Sequence, residues 1–348
     1  MENGYVGFPG LGIDKIAVHQ VAFKIFGIDI YWYGIILAVA FLTAVLLGMK
    51  HSKRFGFVPD NVIDLVIFAA PVSIIFARAY YVIFNWDLYK NNFWDVFNTR
   101  KGGIAIYGAL IGAVLTAYVF AKVKKLKVLE LFDFCIPYVV LAQAIGRWGN
   151  FVNIEAFGRN TNLPWRMAVP PERVTDMLAS NNPANAVGNI NPNLPVHPTF
   201  LYESLWDIGV FLILIWFRKR KKLSGEVFTL YLILYGIGRA WVEGLRIDSL
   251  IIPGTSIRVS QLLAVILAFA FAVLFLERRR RAAVAAANQE VPIGQSEYAN
   301  VLDKLKSESV SETETLSENE TKLSDAEKDG TQDNPEGETP ENDAKDSE

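Results

Sequence analysis

Tyrosine, arginine and glutamate side chains recur at helical spacing near residue 240. Tyr235, Arg239 and Glu243 are four residues apart, so all three fall on one face of a helix, and Arg246 follows about one turn later. Arginine binds a phosphate group through two parallel hydrogen bonds and keeps its charge when buried. The spacing predicts an anion site, although an Arg239–Glu243 ion pair that only fixes helix packing has the same pattern.

A second group of polar residues surrounds Asn150. The fourteen residues 146–159 include three glycines, two arginines, two asparagines and one glutamate. Glycine lets a ligand approach the backbone closely and permits unusual dihedral angles. A plain turn at a helix end would explain the glycines but not the polar side chains among them. Arg147, Asn150, Glu155 and Gly158 are therefore candidate binding residues.

A third group opens a later helix. Pro198 suits the first turn of a helix, and Thr199 and Glu203 then lie one turn apart on the same face. We take His197 and Glu203 as candidate binding residues, although a single histidine is more often an ordinary loop residue than a catalyst.

Seven apolar stretches must position these three groups. Each is close to the roughly 20 residues that a helix needs to cross a bilayer. The chain has 348 residues, of which 52% are hydrophobic and 20% charged, which is too apolar for an ordinary soluble domain. The seven stretches are residues 31–49, 62–84, 104–121, 131–148, 200–217, 227–244 and 259–276.

Basic residues follow every second stretch, and short loops rich in lysine and arginine stay on the cytoplasmic side of a membrane. We therefore predict an all-α integral membrane protein with seven transmembrane helices, the N terminus outside and the C terminus in the cytoplasm. No cleavable signal peptide is expected before the first stretch. The basic groups are residues 50–54, 122–127, 218–222 and 278–281.

Net charge divides the chain into two parts. Residues 1–290 carry 29 Lys and Arg against 19 Asp and Glu, and residues 291–348 carry 5 against 17. We predict a membrane domain at residues 1–288 and an acidic, disordered cytoplasmic tail at 289–348. Within the membrane domain, the aromatic segment 85–103 is expected to lie on the outer membrane surface. The polar segment 149–196 is expected to form a small extracytoplasmic cap.

Polar residues in this topology concentrate at the outer ends of the helices. They include Tyr33, Arg78, Tyr107 and Asp207 together with the three groups above. We predict one cavity that faces the outer leaflet, with more arginines than carboxylates. Asp64, Asp133 and Glu226 lie near cytoplasmic helix starts, where a carboxylate interacts favourably with the helix dipole, so helix capping is the role expected of them.

The three groups together resemble the motifs of the bacterial prolipoprotein diacylglyceryl transferase family. The resemblance runs from about residue 20 to 280 and excludes the tail. It is carried by the runs Gly146–Arg159 and His197–Glu203, the Arg239, Glu243 and Arg246 spacing, Trp32–Tyr33–Gly34, Ala77–Arg78 and the run Gly102–Gly108.

The resemblance implies transfer of the sn-1,2-diacylglyceryl group from phosphatidylglycerol to the thiol of a lipobox cysteine in an exported prolipoprotein. A thioether forms and glycerol-1-phosphate leaves. The implied partners are phosphatidylglycerol, prolipoprotein signal peptides with a lipobox cysteine, and membrane lipid, without nucleic acid. No metal or cofactor is expected. The implied location is the bacterial plasma membrane, as a multi-pass protein with its active site facing the outer leaflet.

The same resemblance suggests a role for each candidate residue. Arg147 and Arg239 would stabilise the charge that develops on the leaving phosphate, and Glu243 would position Arg239. Tyr107 stands where many relatives have histidine, so we expect a hydrogen bond from its hydroxyl and a thiol activated by the arginines instead. The only cysteine, Cys135, is expected to be a packing residue. The remaining substrate-binding candidates are Tyr33, Asn150, Glu155, Gly158, His197, Glu203, Tyr235 and Arg246.

A secondary transporter of a small anion is the main alternative, because it too would place charges in a membrane cavity. Transporters bind near the midplane between internal repeats. The sequence has no evident repeat, and its charges gather at one end of the helices. An intramembrane serine protease would need a histidine inside a span, and the three histidines, His19, His51 and His197, lie outside the helix centres.

Overall fold

Seven long helices dominate the computed structural model of the chain. The structure describes residues 4–90, 93–99, 102–180, 190–249, 251–252, 255, 257–289 and 304. The predicted acidic tail, residues 289–348, lies outside the described residues except for Gln289 and Lys304, so that prediction stays open. The predicted segments 85–103 and 149–196 are described in part.

Each predicted apolar stretch forms a helix. The long helices are α1 (Trp32–Ser52), α2 (Pro59–Phe84), α3 (Ile106–Val123), α4 (Val128–Asn153), α6 (Thr199–Arg218), α7 (Glu226–Leu245) and α8 (Val259–Gln289), and α5 (Pro171–Ser180) is a short additional helix. Six of the seven long helices are long and apolar enough to cross a membrane. The exception is α7, whose Arg239 and Glu243 reduce its apolar character. The all-α membrane class is thus confirmed, while the count of seven spans remains a prediction.

Consecutive long helices run in opposite directions, so the bundle has two distinct ends. We call the end where α1, α3, α6 and α8 begin the head end, and the end where α1, α3 and α6 finish the basic end. The closest packing is between α2 and α3, α1 and α4, α4 and α6, and α7 and α8. The three groups of candidate residues all lie toward the head end.

A small folded unit lies at the head end. Two antiparallel hairpins precede α1, formed by β1 (Gly4–Phe8) with β2 (Ile13–Val18) and by β3 (Val21–Ile25) with β4 (Ile28–Tyr31). The first hairpin continues into the segment after α4, because Gly7 pairs with Ala168 through backbone hydrogen bonds. Their shared apolar core includes Val6, Phe157, Met167, Val174, Val196 and Phe200. The sequence analysis did not predict the hairpins.

Ion pairs link the helices at the basic end, and one expected capping role, that of Asp133 in its own helix, is wrong. Asp133 of α4 accepts hydrogen bonds from the backbone N–H groups of Gly225 and Phe228, so it caps the start of α7 and not of its own helix. It also pairs with Lys221 at 3.1 Å. Glu226 binds Arg279 of α8 at 2.6 Å. Asp64 pairs with Lys124 at the end of α3, at 2.7 Å.

Candidate functional site

Three arginines from two helices converge on one glutamate. Glu203, in the second turn of α6, binds Arg147 of α4 with an N–O distance of 2.5 Å. Its other oxygen lies 3.4 Å from Arg239 of α7 and 3.4 Å from Arg246 at the end of that helix. Glu203 is only 7% exposed, so these charges meet largely away from solvent. All three groups of candidate residues thus contribute to one cluster, which we call the arginine cluster.

Two further carboxylates complete the arginine cluster. Arg239 pairs with Glu243 one turn later at 2.6 Å, the spacing that the sequence predicted. Arg246 donates hydrogen bonds to both carboxylate oxygens of Asp248, from Nε at 2.8 Å and from Nη2 at 2.5 Å. Sequence reasoning missed Asp248, and the available signal was its position two residues after Arg246, just beyond the end of a helix.

Charge balance in the arginine cluster differs from the prediction of more arginines than carboxylates. Arg147, Arg239 and Arg246 are matched by Glu203, Glu243 and Asp248. Two further arginines, Arg159 and Arg258, lie near the cluster and interact electrostatically with each other. The Nε atoms of both have no hydrogen-bond partner among the described residues.

Asp248 and Arg246 lie beyond the end of α7, and their pairing shifts both ionisation equilibria. Burial by itself would raise the pKa of Asp248, but its hydrogen bonds and charge interaction with Arg246 bring that pKa below the ordinary value for aspartate. Burial opposes the charge on Arg246, yet Asp248 and Glu203 together raise its pKa. The pair is therefore fully ionised at neutral pH.

A strained turn after α4 holds Glu155. Ile154 and Ala156 on either side of it have φ angles of 51° and 55°, in the left-handed region that side chains rarely adopt. The turn aims Glu155 back at α4, where it accepts hydrogen bonds from Asn150 at 2.9 Å and Asn153 at 3.3 Å. Among the described residues, Glu203 and not Asn150 or Glu155 is the one that holds Arg147.

Two tyrosines border the arginine cluster. The ring of Tyr33, at the start of α1, packs on Gly149, where a Cβ atom would lie 2.6 Å from the ring. Tyr33 interacts electrostatically with Glu155 and Arg147. Tyr235 of α7 interacts with Arg147 and Arg239 and stacks on Tyr231. The structure therefore brings both predicted tyrosines to the cluster.

His197 and Gly158 join the head unit to the arginine cluster through backbone contacts. The N–H of Gly158 donates to the carbonyl of His197, and Gly158 also pairs with Arg246. A Cβ atom on Gly158 would lie 2.8 Å from His197, so a larger residue does not fit. The His197 ring lies 3.1 Å from the hydroxyl of Tyr202. Burial lowers the pKa of His197, which favours its neutral form at pH 7.

A small cavity opens beside the arginine cluster between α6 and α7. The space between these side chains, part of which is open to solvent, is about 220 Å³. Asp207, one turn after Glu203, is 3% exposed and contributes a buried oxygen, Oδ2, that has no hydrogen-bond partner among the described residues. The residues that line the cavity are Glu203, Trp206, Asp207, Tyr235, Gly238, Arg239 and Val242.

Arg78 does not join the arginine cluster, in contrast to the prediction that it lines the same cavity. It lies in α2, and all five of its N–H groups donate to backbone carbonyls of the segment before α3. The acceptors are Asp95, Val96, Asn98, Gly102 and Gly103, at 2.6–3.2 Å. Arg78 also lies over the ring of Tyr89. Its role in this structure is to hold this segment, which contains the short 3-10 helices Trp86–Leu88 and Phe93–Phe97, against α2.

Tyr107, in the first turn of α3, follows the segment that Arg78 holds. Its side chain is 53% exposed, and its ring lies 6.3 Å from that of Tyr80 on α2. The structure thus associates Tyr107 with α2 and α3, whereas the other site residues predicted from the sequence lie on α1, α4, α6 and α7 or just beyond their ends. Within the described ranges, no group of three His, Cys, Asp or Glu side chains is arranged to hold a metal ion.

Comparison with known proteins identifies the family that the chain resembles. Residues 20–277 match the family described as prolipoprotein diacylglyceryl transferase. The chain is 45% identical over 247 residues to a phosphatidylglycerol–prolipoprotein diacylglyceryl transferase of Clostridioides difficile, covering 71% of this chain and 90% of that protein. Enzymes of the same description from Finegoldia magna and Pediococcus pentosaceus are 43% and 44% identical, over 75% and 76% of this chain and 96% and 91% of their own lengths.

Proposed function

The chain belongs to the prolipoprotein diacylglyceryl transferase family, and we propose that its arginine cluster is where phosphatidylglycerol binds and reacts. The reaction is the transfer of a diacylglyceryl group from phosphatidylglycerol to a prolipoprotein by a multi-pass membrane enzyme. The observation that supports this site is the convergence of Arg147, Arg239 and Arg246 on Glu203.

Arg147 and Arg239 bind the phosphate of the lipid in this proposal. As the bond between the glyceryl carbon and the phosphate oxygen breaks, negative charge grows on the departing glycerol phosphate. Guanidinium groups directed at that oxygen stabilise the transition state more than the ground state. Glu203 and Glu243 hold the two arginines in place before the lipid arrives, so little reorganisation is needed when charge develops.

The nucleophile comes from the protein substrate, as the thiol of a lipobox cysteine in its signal peptide. The thiol gives up its proton, the sulfur attacks the glyceryl carbon as the bond from that carbon to the phosphate oxygen breaks, and a thioether and glycerol-1-phosphate result. The enzyme's own cysteine, Cys135, packs on α4 beside the apolar cluster around Phe134 and takes no part. Asn150, Glu155 and Tyr33 border the arginine cluster. They orient the lipid headgroup or fix the turn that carries Glu155.

The head end faces the outer leaflet in this proposal, with the N terminus outside and the basic end in the cytoplasm. Lysine and arginine residues lie at the ends of α1, α3 and α6 and within the last part of α8, as expected of cytoplasmic ends. We include α7 as the seventh span, because it packs against α6 and α8 and its charged residues face Glu203 and not the lipid. The head unit is then the extracytoplasmic cap, and the tail is cytoplasmic.

Purified full-length protein, phosphatidylglycerol and a synthetic lipobox peptide test the proposed function. We expect a peptide whose mass has increased by one diacylglyceryl group, together with released glycerol phosphate. Arg147→Gln should reduce the rate at least about 100-fold, since it removes a charge that stabilises the transition state.

Arg220→Gln is the matched control, because Arg220 is an exposed arginine at the basic end. It should lipidate the peptide at the wild-type rate. The site assignment is wrong if Arg147→Gln, folded as judged by its melting temperature, is as active as Arg220→Gln.

A further inference from the structure

The cavity beside the arginine cluster contains a buried carboxylate that the proposed mechanism does not use. Asp207 is 3% exposed, and its Oδ2 atom has no hydrogen-bond partner among the described residues. Buried acceptors without a partner are uncommon, because their lost hydration is not replaced. A molecule that occupies this cavity is therefore expected to donate a hydrogen bond to Asp207.

Arginine and carboxylate side chains line this cavity together. Arg239 lines it together with Glu203 and Asp207, and Asp207 interacts electrostatically with Arg147. A ligand that fits this arrangement carries an anionic group for the arginines and, a few ångströms away, a neutral hydrogen-bond donor for the carboxylate. The headgroup of phosphatidylglycerol has both features, a phosphodiester and a glycerol with two free hydroxyl groups.

The spacing along α6 agrees with such a ligand. Glu203 and Asp207 are one helical turn apart, about 5.4 Å along the axis. Glu203 marks the position of the guanidinium groups, and Asp207 lies one turn further along the helix, away from the head end. A three-carbon headgroup attached to a phosphate at the arginines extends over a similar length.

We infer that Asp207 accepts a hydrogen bond from a free glycerol hydroxyl of phosphatidylglycerol and thereby selects this lipid as the donor. The inference rests on the proposed function, in which Arg147 and Arg239 bind the phosphate. It assigns the recognition of a glycerol hydroxyl to α6, while the amide N–H groups of Asn150 and Asn153 donate to Glu155.

Hydroxyl recognition of this kind makes a site selective. A site whose buried polar group hydrogen-bonds a substrate hydroxyl rejects an analogue without that hydroxyl, because the buried group is then left unpaired. A thiol is a weaker donor than a hydroxyl. For this reason we place the lipid headgroup, and not the substrate cysteine, at Asp207.

Two donor lipids with the same charge test the inference. Phosphatidylpropanol has the phosphodiester and acyl chains of phosphatidylglycerol but neither free hydroxyl. The full-length protein, as wild type, Asp207→Asn and Asp207→Leu, is assayed with each lipid and a lipobox peptide, and kcat/KM is measured for the lipid. Asp14→Asn serves as the matched control, since Asp14 is an exposed carboxylate on β2.

Wild type and Asp14→Asn should prefer phosphatidylglycerol. Asp207→Leu should lower kcat/KM for phosphatidylglycerol by about 10- to 100-fold, the effect of one hydrogen bond to a charged group, and leave that for phosphatidylpropanol unchanged or higher. Asp207→Asn should be intermediate, because its amide keeps one acceptor oxygen. The ratio of kcat/KM for phosphatidylglycerol to that for phosphatidylpropanol should therefore decrease from wild type to Asp207→Asn and again to Asp207→Leu.

Three results would overturn the inference. Equal losses with both lipids would mean that Asp207 acts on the thiol or on folding. Unchanged selectivity in Asp207→Asn would also exclude it, and this variant decides the matter if Asp207→Leu does not fold. A wild type that lipidates the peptide but does not distinguish the lipids would refute the inference alone, whereas a wild type inactive with phosphatidylglycerol would refute the proposed function.

Discussion

Pairing of each arginine with a carboxylate is the main chemical property of the site at the scale of single residues. A buried ion pair contributes little net stability, because desolvation offsets most of the attraction, but removal of one partner is costly. The main effect of Glu203 is therefore to position three guanidinium groups, and its contribution to the stability of the fold is smaller. A phosphate that enters the cluster meets donors that are already oriented.

Tyr107 provides one test at this scale. Since its ring is half exposed and lies against Tyr80, we expect Tyr107→Phe to reduce the rate of peptide lipidation by less than about 10-fold. Arg147→Ala should reduce it by about 100-fold or more, as expected for loss of a group that stabilises developing charge. Single-turnover rates of both variants check this. Equal losses would show that the phenol takes part directly in the reaction.

Asp248 provides a second test, through the pH dependence of stability. Its pKa is lower in the folded protein than in the unfolded chain, because Arg246 stabilises the carboxylate despite burial. The stabilisation is therefore present above the unfolded pKa of about 4 and is lost as the pH falls through the folded pKa. Asp248→Asn should cost about 1–3 kcal/mol at pH 7.

Thermal unfolding in detergent at pH 7 and at about pH 3 measures this difference. The difference in stability between wild type and Asp248→Asn should be smaller at the lower pH. A stability difference that is equally large at both pH values would mean that the amide introduced by Asp248→Asn disturbs packing and not charge pairing.

Individual elements show how one residue can organise a segment of backbone. The described part of the chain between α2 and α3 is irregular, and Arg78 donates hydrogen bonds to five of its carbonyl groups. Gly103, with a φ angle of 80°, leaves the space that the guanidinium needs, since a Cβ atom there would lie 2.4 Å from it. Irregular backbone near a membrane is tolerated when its polar groups are satisfied within the protein.

Replacement of Arg78 by lysine tests this organisation. An ammonium group has three donors, so at least two of the five carbonyls lose their partner, and we expect a loss of about 2–4 kcal/mol. Melting temperature and the rate of proteolysis within residues 85–105 should both change. Arg281→Lys, an exposed arginine on α8, is the control and should match wild type. An unchanged proteolysis rate in Arg78→Lys would contradict the role of Arg78.

Sequence patterns predicted some elements well and others poorly, for physical reasons. The long helices follow from apolar length, and the Arg239–Glu243 pair follows from helical periodicity. The role of Arg78 could not be predicted, because its partners are backbone carbonyls 17 to 25 residues away. Every residue type has the same backbone carbonyl, so the sequence does not indicate which ones accept a hydrogen bond. The hairpins before α1 were missed because β2 and β3 lack a clear alternation of apolar and polar residues.

The bundle as a whole has a different charge arrangement at each end. At the head end, the arginine cluster and its cavity are positioned by α4, α6 and α7. At the basic end, Asp133 and Glu226 tie α4, α7 and α8 together through Lys221 and Arg279. The helices that carry the arginine cluster are thus fastened at the end away from the site. Motions that admit lipid are then expected to be larger at the head end.

Side-specific labelling tests the proposed orientation of the whole molecule. In a Cys135→Ser background, a cysteine at Leu11 in the head unit should react with a membrane-impermeant maleimide added to intact cells. A cysteine at Lys222, after α6, should react only after the membrane is opened. The reverse pattern would show that the head end is cytoplasmic and would invalidate the proposed orientation.

The polarity of α7 has a consequence for how the protein is made. An arginine at the centre of a helix raises the cost of insertion into the bilayer by about 2.5–3.5 kcal/mol. Arg239, which lies between the centre and the head end of α7, carries part of this cost, and Glu243 adds to it. As each helix leaves the ribosome, α7 is therefore the one least able to enter the membrane by itself. Its insertion should wait for α8, which packs along it, so that a nascent chain ending soon after Leu245 leaves α7 accessible to protease. The residues proposed to bind the lipid are thus also expected to influence the order in which the helices are inserted.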